Sequence, residues 1–326
     1  MDLGAVRQYL RPSLAEVEAC ISHYLRSDVA LLDQTNRSLR EHCGKMMRPM
    51  LVLLSAGALG KANRDTVLLA SAAEMMHNAT LLHDDVVDQA GERRGLPTVF
   101  SLLGGGPAVL VGDFWLVRGL QAVMDVEREG RQVLRLCQKT LADLAEGELL
   151  QMQKASAGDT TLEDYLRIIY CKTASLFETS ARCGAISAGA SQEAVDRMGR
   201  FAKLVGLAFQ MKDDIFDYGD PAAALGKPVG IDLKEGKITI PLLCALDTVS
   251  PEEALSVRDQ VVRLADEPAL EASVRAFVKA QDGVARAQAY MESLIREAVD
   301  LLEPLPQTQD KDFLALWARY VGDRNV

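Results

Sequence analysis

Residues 65–88, DTVLLASAAEMMHNATLLHDDVVD, read as one long helix that is buried for most of its length and ends in acids. Apolar and small residues recur at helical spacing and nearly fill every face, the pattern of a helix inside a larger helical body. The end of the stretch carries Asp84, Asp85 and Asp88 within five positions. At about 100° per residue, Asp84 and Asp88 share a face one turn apart, with Asp85 beside them. Carboxylates with an ordinary pKa of ~3.9 are ionised at neutral pH, so the cluster calls for a cation. A donor set made only of oxygens selects a hard divalent ion, Mg2+ or Mn2+, over zinc. The spacing does not match an EF-hand loop, which alternates its ligands around a glycine turn.

The device recurs. FQMKDDIFDY (209–218) places Asp213, Asp214 and Asp217 at the end of a second apolar helix, 194–218. Residues 131–153 and 162–185 read as further long helices, and no convincing run alternates as a strand would. Glycine and proline punctuate at 95–97, 104–107, 218–221 and 225–230. The GGGP at 104–107 is read as a turn ahead of a helix beginning near Pro107, because no GK[ST] follows it and no strand precedes it. The expectation is an all-α chain, one domain over residues 1–326, with residues 304–310 linking a short last helix at 311–321 to the body.

The net charge of −10 argues against nucleic-acid binding and against electrostatic attachment to anionic lipid. None of the six cysteines forms a CxxC pair, so they are read as reduced core thiols. No secretory signal is visible, and the apolar runs are read as too short to span a bilayer. A cytoplasmic protein is expected.

Two acid clusters closing two core helices can face each other across a cavity. Mg2+ leans on one or two carboxylates plus substrate phosphates, so such a pair would clamp a diphosphate through several ions. Basic residues surround the motifs: Lys45 and Arg48 in CGKMMRP, Arg93 and Arg94 after the first cluster, Lys172 mid-helix beside Thr173, and Lys227 and Lys237 in LGKPVGIDLKEGKITIP. His77 lies two turns before Asp84 on the same face.

With these motifs the sequence resembles the all-trans polyprenyl diphosphate synthases, a family that includes farnesyl and geranylgeranyl diphosphate synthases. The segments that carry the resemblance are GKMMRP, HNATLLHDDVVDQAGERRGLPT, GDF, EGELLQ, KTASLF, FQMKDDIFDY and LGKPVGIDLKEGKITIPLL, from Gly44 to Leu243, 200 of 326 residues. The resemblance implies an all-α bundle around a deep central cavity (the type I isoprenoid synthase fold), usually a homodimer. It implies Asp84, Asp88 and Asp213 as direct ligands of about three Mg2+ ions, with Mn2+ an alternative. Asp85, Asp214 and Asp217 would complete the metal site through water or hydrogen bonds. Arg93, Lys172, Lys227 and Lys237 would hold an allylic diphosphate. Lys45, Arg48, His77 and Arg94 would hold the diphosphate of isopentenyl diphosphate, and Thr173 and Gln210 would line the reacting carbons. Asp84, Asp88, Asp213, Lys172 and Lys227 form the expected catalytic group. The implied chemistry is ionisation of the allylic diphosphate, attack by the double bond of isopentenyl diphosphate, and loss of a proton to the released pyrophosphate. The chain departs from the family in having Cys43-Gly44 where Gly-Gly is usual, and its ending GDRNV lacks a basic run, so Arg324 is given no role.

Product length is read from the helix that ends in Asp84. Short-chain relatives carry bulky aromatics four and five positions before that aspartate, whereas this chain has Thr80 and Ala79. Met76 and Met75 form a pliant next layer, and Ala72 and Ala73 are small again. A long-chain product of octaprenyl type is expected, a precursor of a quinone side chain, delivered by transient membrane contact. The alternatives are a shorter-product farnesyl or geranylgeranyl synthase and a non-catalytic subunit of a heteromeric synthase. Such subunits usually lose one aspartate cluster, and both are intact here. The intact DDIFD, with Lys45 and Arg48, also speaks against a terpene cyclase.

Overall fold

The computed structural model describes residues 3–42, 44–219 and 230–324. In chain order the helices are α1 (Gly4–Tyr24), α2 (Ala30–Glu41), α3 (Met47–Leu59), α4 (Arg64–Val87), α5 (Val99–Leu103), α6 (Gly105–Met124), α7 (Gly130–Ala157), α8 (Leu162–Ile169), α9 (Ser175–Ser187), α10 (Gln192–Asp217), α11 (Ile231–Lys234), α12 (Ile240–Leu246), α13 (Pro251–Val262), α14 (Leu270–Ala280), α15 (Gly283–Leu302) and α16 (Gln309–Asp323). A two-residue hairpin, β1 (Glu92–Arg93) and β2 (Leu96–Pro97), pairs Arg93 with Leu96 between α4 and α5.

Two helices organise the bundle. A capping box starts α4: the Asn63 side chain accepts from the Thr66 N–H at 3.1 Å, and the Thr66 hydroxyl accepts from the Asn63 N–H at 3.0 Å. Helix α4 then runs through the core against α1, α3, α6 and α9. Helix α10, capped by Ser191, packs against α9, α12, α15 and α16. One continuous apolar core extends from α1 to α16. Its largest buried members include Trp115, Phe177, Phe201 and Trp317. Burying each such side chain stabilises the fold by roughly 1.5–3 kcal/mol.

The structure corrects the sequence reading in four places. The helix expected over 162–185 is interrupted by a π-helical turn, Tyr170–Ala174. Glycines on two neighbouring helices let them close on this turn: a Cβ at Gly147 of α7 would lie 2.5 Å from Cys171 Cβ, and one at Gly206 of α10 would lie 2.7 Å from Ala174 Cα. The second correction is the hairpin, where no strand was expected. Its turn residues Arg94 and Gly95 both have positive φ, 56° and 78°, as a tight two-residue hairpin loop requires. The third concerns α6, which is long and apolar enough, by length and composition, to cross a bilayer. Its Ala108, Val111, Trp115 and Ala122 are buried, while Leu110, Val117 and Met124 are exposed. Fourth, the last helix is longer than expected, 309–323. The GGGP turn is present at Gly104, with α6 starting two residues before Pro107.

Candidate active site

The C-terminal ends of α4 and α10 open onto one cavity of about 1060 Å3, with Asp84 and Asp213 both in its wall. A helix C-terminus is the negative pole of its dipole, so acids gathered there are unfavourable unless a cation joins them. Burial, then the neighbouring Glu148, pushes the Asp84 carboxyl up to about 6. Asp88 caps α4 in an exposed position. Asp85 turns away into the protein and accepts from Arg93 Nε at 2.7 Å. In the second cluster Asp214 is buried, accepting from the Tyr165 hydroxyl at 2.6 Å and from Gln210 Nε2 at 2.9 Å. Asp217 receives the backbone N–H groups of Gly230, Ile231 and Asp232 at 2.9, 3.0 and 3.2 Å, which ties α11 to the end of α10.

Lys45, Arg48, His77, Arg93 and Arg94 line the same cavity. Arg48 is half-buried over the Phe177 ring, 5.0 Å from its centre. Burial lowers its guanidinium to about 10, so it still carries its charge at neutral pH. Burial and then the nearby arginines Arg48, Arg94 and Arg93 hold His77 well below the usual histidine range. His77 is therefore a neutral hydrogen-bonding group and not a further cation. Glu74, buried one turn before it, is held up by burial and faces Arg48 and Arg94. The Arg94 guanidinium fills the space where Gly44 would carry a Cβ, which accounts for the glycine ahead of Lys45.

Lys172 and Thr173 project from the π-helical turn, a distortion that recurs at functional sites. Lys172 Nζ is held by Glu148 at 2.6 Å and Gln151 at 3.0 Å, both from the EGELLQ segment of α7. The Thr173 hydroxyl donates to Gln210 Oε1 at 2.8 Å, and both residues face the cavity. Lys237 lies in an adjacent smaller cavity of about 150 Å3, paired with Glu235 and Asp232. Lys227 lies outside the described residues. Part of the wall is apolar, with Leu116, Leu141, Leu144 and Phe209, and Ala79 and Thr80 on α4 line the same cavity, as do Arg7 and His83. Met76 sits one turn deeper, buried against Gly119 of α6, and does not reach the wall.

Comparison with known sequences and structures gives these features a context. The family model for polyprenyl synthetase matches residues 29–278. The chain belongs to the polyprenyl synthetase family. It is 39% identical over 261 residues to the octaprenyl diphosphate synthase of Escherichia coli, covering 80% of each chain. A decaprenyl diphosphate synthase structure from Rhodobacter capsulatus superposes with a TM-score of 0.91 at 32% identity, covering 99% of both chains. A polyprenyl synthase from Caulobacter crescentus, complexed with calcium and isoprenyl diphosphate, gives 0.87 at 30% identity, covering 100% of this chain and 98% of that one. As a member of this family the chain is a prenyltransferase with the all-α fold, acting on isoprenoid diphosphates.

A divalent metal fits the residues of this site. The donors are carboxylate oxygens on two helix ends. Among the described residues no three acids, histidines or cysteines converge into a closed cage. Asp84 and Asp213 on one cavity suit ions held by one or two carboxylates and completed by diphosphate oxygens.

Several site residues were missed from sequence. Arg324, given no role, reaches Asp213 Oδ1 at 2.7 Å and the Phe209 carbonyl at 2.8 Å. Tyr165 and Asp232 border the smaller cavity. Glu148 was present in a quoted motif, and Glu74 stands one turn before His77, so helical spacing could have found both. Arg324 is 111 positions from its partner and left no local signal.

Proposed function

We propose that this chain condenses isopentenyl diphosphate, head to tail and all-trans, with an allylic diphosphate to make a long-chain polyprenyl diphosphate. The observation that carries the reading is Asp84 and Asp213, from two helix ends, on one cavity that also carries Lys45, Arg48, Arg93 and Arg94 and the small residues Ala79 and Thr80.

When bound, Mg2+ supplies charge neutralisation of the leaving diphosphate. Asp84, Asp88 and Asp213 would hold it, with Asp85, Asp214 and Asp217 supporting from behind. The Caulobacter polyprenyl synthase, complexed with calcium and isoprenyl diphosphate, supports a divalent ion beside such a substrate. Lys172 and Arg93 draw on the allylic diphosphate as its C–O bond breaks and the electron pair leaves with oxygen. Lys45, Arg48 and Arg94 hold the second diphosphate, with His77 as a hydrogen-bonding partner. The double bond of isopentenyl diphosphate then attacks the allylic cation. A proton is lost to the departed pyrophosphate, and a new double bond forms. The walls of Leu116, Leu141, Leu144 and Phe209 exclude the water that would quench the cation.

Long-chain synthesis is supported by the small residues at 79 and 80 and by the likeness to octaprenyl and decaprenyl diphosphate synthases. We propose a homodimer that covers the exposed apolar face of α6, including Leu110, Val117 and Met124. Purified protein given Mg2+, labelled isopentenyl diphosphate and a farnesyl or geranylgeranyl primer should yield products well beyond geranylgeranyl length. Absence of turnover with every primer would reject the activity. Products ending at geranylgeranyl length would reject only the chain length.

A further inference from the structure

Tyr165 stands outside the main cavity, yet it is joined to it by an unbroken chain of hydrogen bonds. Its ring is buried on α8, and its hydroxyl donates to Asp214 Oδ2 at 2.6 Å. Asp214 Oδ1 accepts from Gln210 Nε2 at 2.9 Å, and Gln210 Oε1 accepts from the Thr173 hydroxyl at 2.8 Å. Gln210 and Thr173 line the main cavity, whereas Tyr165 and Asp214 border the smaller one behind it. Three parts of the fold meet in this chain: α8, the π-helical turn and α10.

With Asp214 ionised, the direction of every bond is fixed by chemistry. A phenol facing a carboxylate donates. A carboxylate oxygen accepts, so the neighbouring amide must present its nitrogen. The amide oxygen then has to face Thr173, and the single hydroxyl proton of Thr173 is spent on it. What Thr173 has left for the cavity is oxygen lone pairs. A flipped Gln210 would set two oxygens against each other at Asp214 and turn the Thr173 proton loose.

We infer that Tyr165 is a positioning residue for the allylic cation. Through Asp214 and Gln210 it sets the Thr173 hydroxyl so that its lone pairs, the negative end of its dipole, face the carbon that becomes positive. This rests on the reading that the main cavity takes the allylic diphosphate. Preset dipoles aimed at developing charge stabilise it without reorganising. The benefit falls on the cation and not on the neutral substrate, so Tyr165 contributes to kcat more than to KM.

The test compares two inert ligands in the presence of Mg2+: an allylic thiodiphosphate, uncharged at the reacting carbon, and an ammonium diphosphate with a positive charge there. Titration calorimetry on Tyr165→Phe, which keeps the ring, should show about tenfold weaker binding of the ammonium ligand and less than about twofold change for the thiodiphosphate. Thr173→Val should lose the same preference, and the double variant should lose no more than either single, because both interrupt one chain. Equal weakening of both ligands, or additive losses, would overturn the proposal. So would unchanged affinities, the result expected if water from the smaller cavity replaces the phenol. Should Tyr165→Phe fail to fold, p-aminophenylalanine at position 165 keeps the shape with a weaker donor. It must then lose about threefold of the ammonium preference, and an unchanged ratio overturns the idea. Wild-type protein that binds neither ligand would remove the substrate reading itself, and the inference with it.

Discussion

Arg324 Nη2 lies 2.7 Å from Asp213 Oδ1, and its guanidinium stacks 3.9 Å from the centre of the Phe209 ring. The end of α16 is thereby fastened to the first acid of the second cluster. The arginine is the more deeply covered partner, at 9% side-chain exposure against 44% for Asp213. A cation already rests where the proposed metal binds, so metal and arginine compete for one carboxylate. Arg324→Met should lower the melting temperature of the metal-free protein by a few degrees, as loss of a charge-assisted hydrogen bond does. It should also lower the Mg2+ concentration needed for half-saturation by about threefold in the presence of pyrophosphate. Melting curves across a Mg2+ series report both quantities. An unchanged Mg2+ midpoint would mean that the pair fastens the helix and does not compete.

The first cluster predicts a pH dependence. Burial and Glu148 raise Asp84 to about 6, above its unfolded value, so folding favours the protonated form. That contribution to stability is complete below the ordinary carboxylate range and is lost as pH rises through about 6. Asp214, raised to about 7 by burial and by Asp232, extends the loss towards neutrality. Metal-free protein should therefore melt lower at about pH 8 than at about pH 5.5, and Asp84→Asn should flatten the lower part of that slope. Mg2+ affinity should run the other way, rising with pH until Asp84 is ionised. Turnover should fall more than about a hundredfold in Asp84→Ala and in Asp213→Ala while both remain folded. Near-wild-type turnover in either, at saturating Mg2+, would reject the metal assignment.

The long helices and the two acid clusters were legible because each is a local pattern: a helical period of about 3.6 residues, then carboxylates one turn apart. What escaped was set by distant packing. The π-helical turn at Tyr170–Ala174 depends on Gly147 and Gly206 from two other helices. Tyr165 meets Asp214 across 49 positions, and nothing beside either residue announces the other. His77 was counted with the basic residues from its position alone. Its neutrality follows from burial among arginines, which spacing does not report.

The cationic end should separate the two substrates. Lys45→Ala and Arg94→Ala should raise KM for isopentenyl diphosphate about tenfold or more, with a smaller effect on the allylic substrate. Arg48→Ala should do the same at a cost in stability, because it strips a half-buried guanidinium from Phe177 and leaves the buried Glu74 uncompensated. Gly44→Ala is the subtler probe. Its methyl group takes the space of the Arg94 guanidinium, so it should reproduce part of the Arg94→Ala defect without removing any charge. Steady-state kinetics with each substrate varied in turn decides the matter. Equal changes in both KM values across the set would reject the division.

Chain length should be set at Ala79. This residue is 1% exposed and lies in the cavity wall one turn below Asp84, beside Thr80 and in the same cavity as the apolar side chains of α6 and α7. Asp84 ties the diphosphate end of a growing product, so its tail must pass this level of α4. Met76, one turn deeper, packs on Gly119 behind this wall, so it would be the next barrier once a tail passes Ala79. An unbranched thioether has three rotatable bonds and yields to a tail more readily than a ring would. Ala79→Tyr should turn the open wall into a floor, shortening products to farnesyl or geranylgeranyl length while the first condensation keeps its rate. Met76→Ala should act in the opposite sense and lengthen the distribution, at about 2–5 kcal/mol of stability for the space it empties. If Ala79 served only close packing, the tyrosine would cost roughly 1–3 kcal/mol of overpacking and leave product length alone. Product chromatography beside a thermal melt separates the two. A folded, active Ala79→Tyr enzyme with unaltered product length would place the gate elsewhere in the cavity.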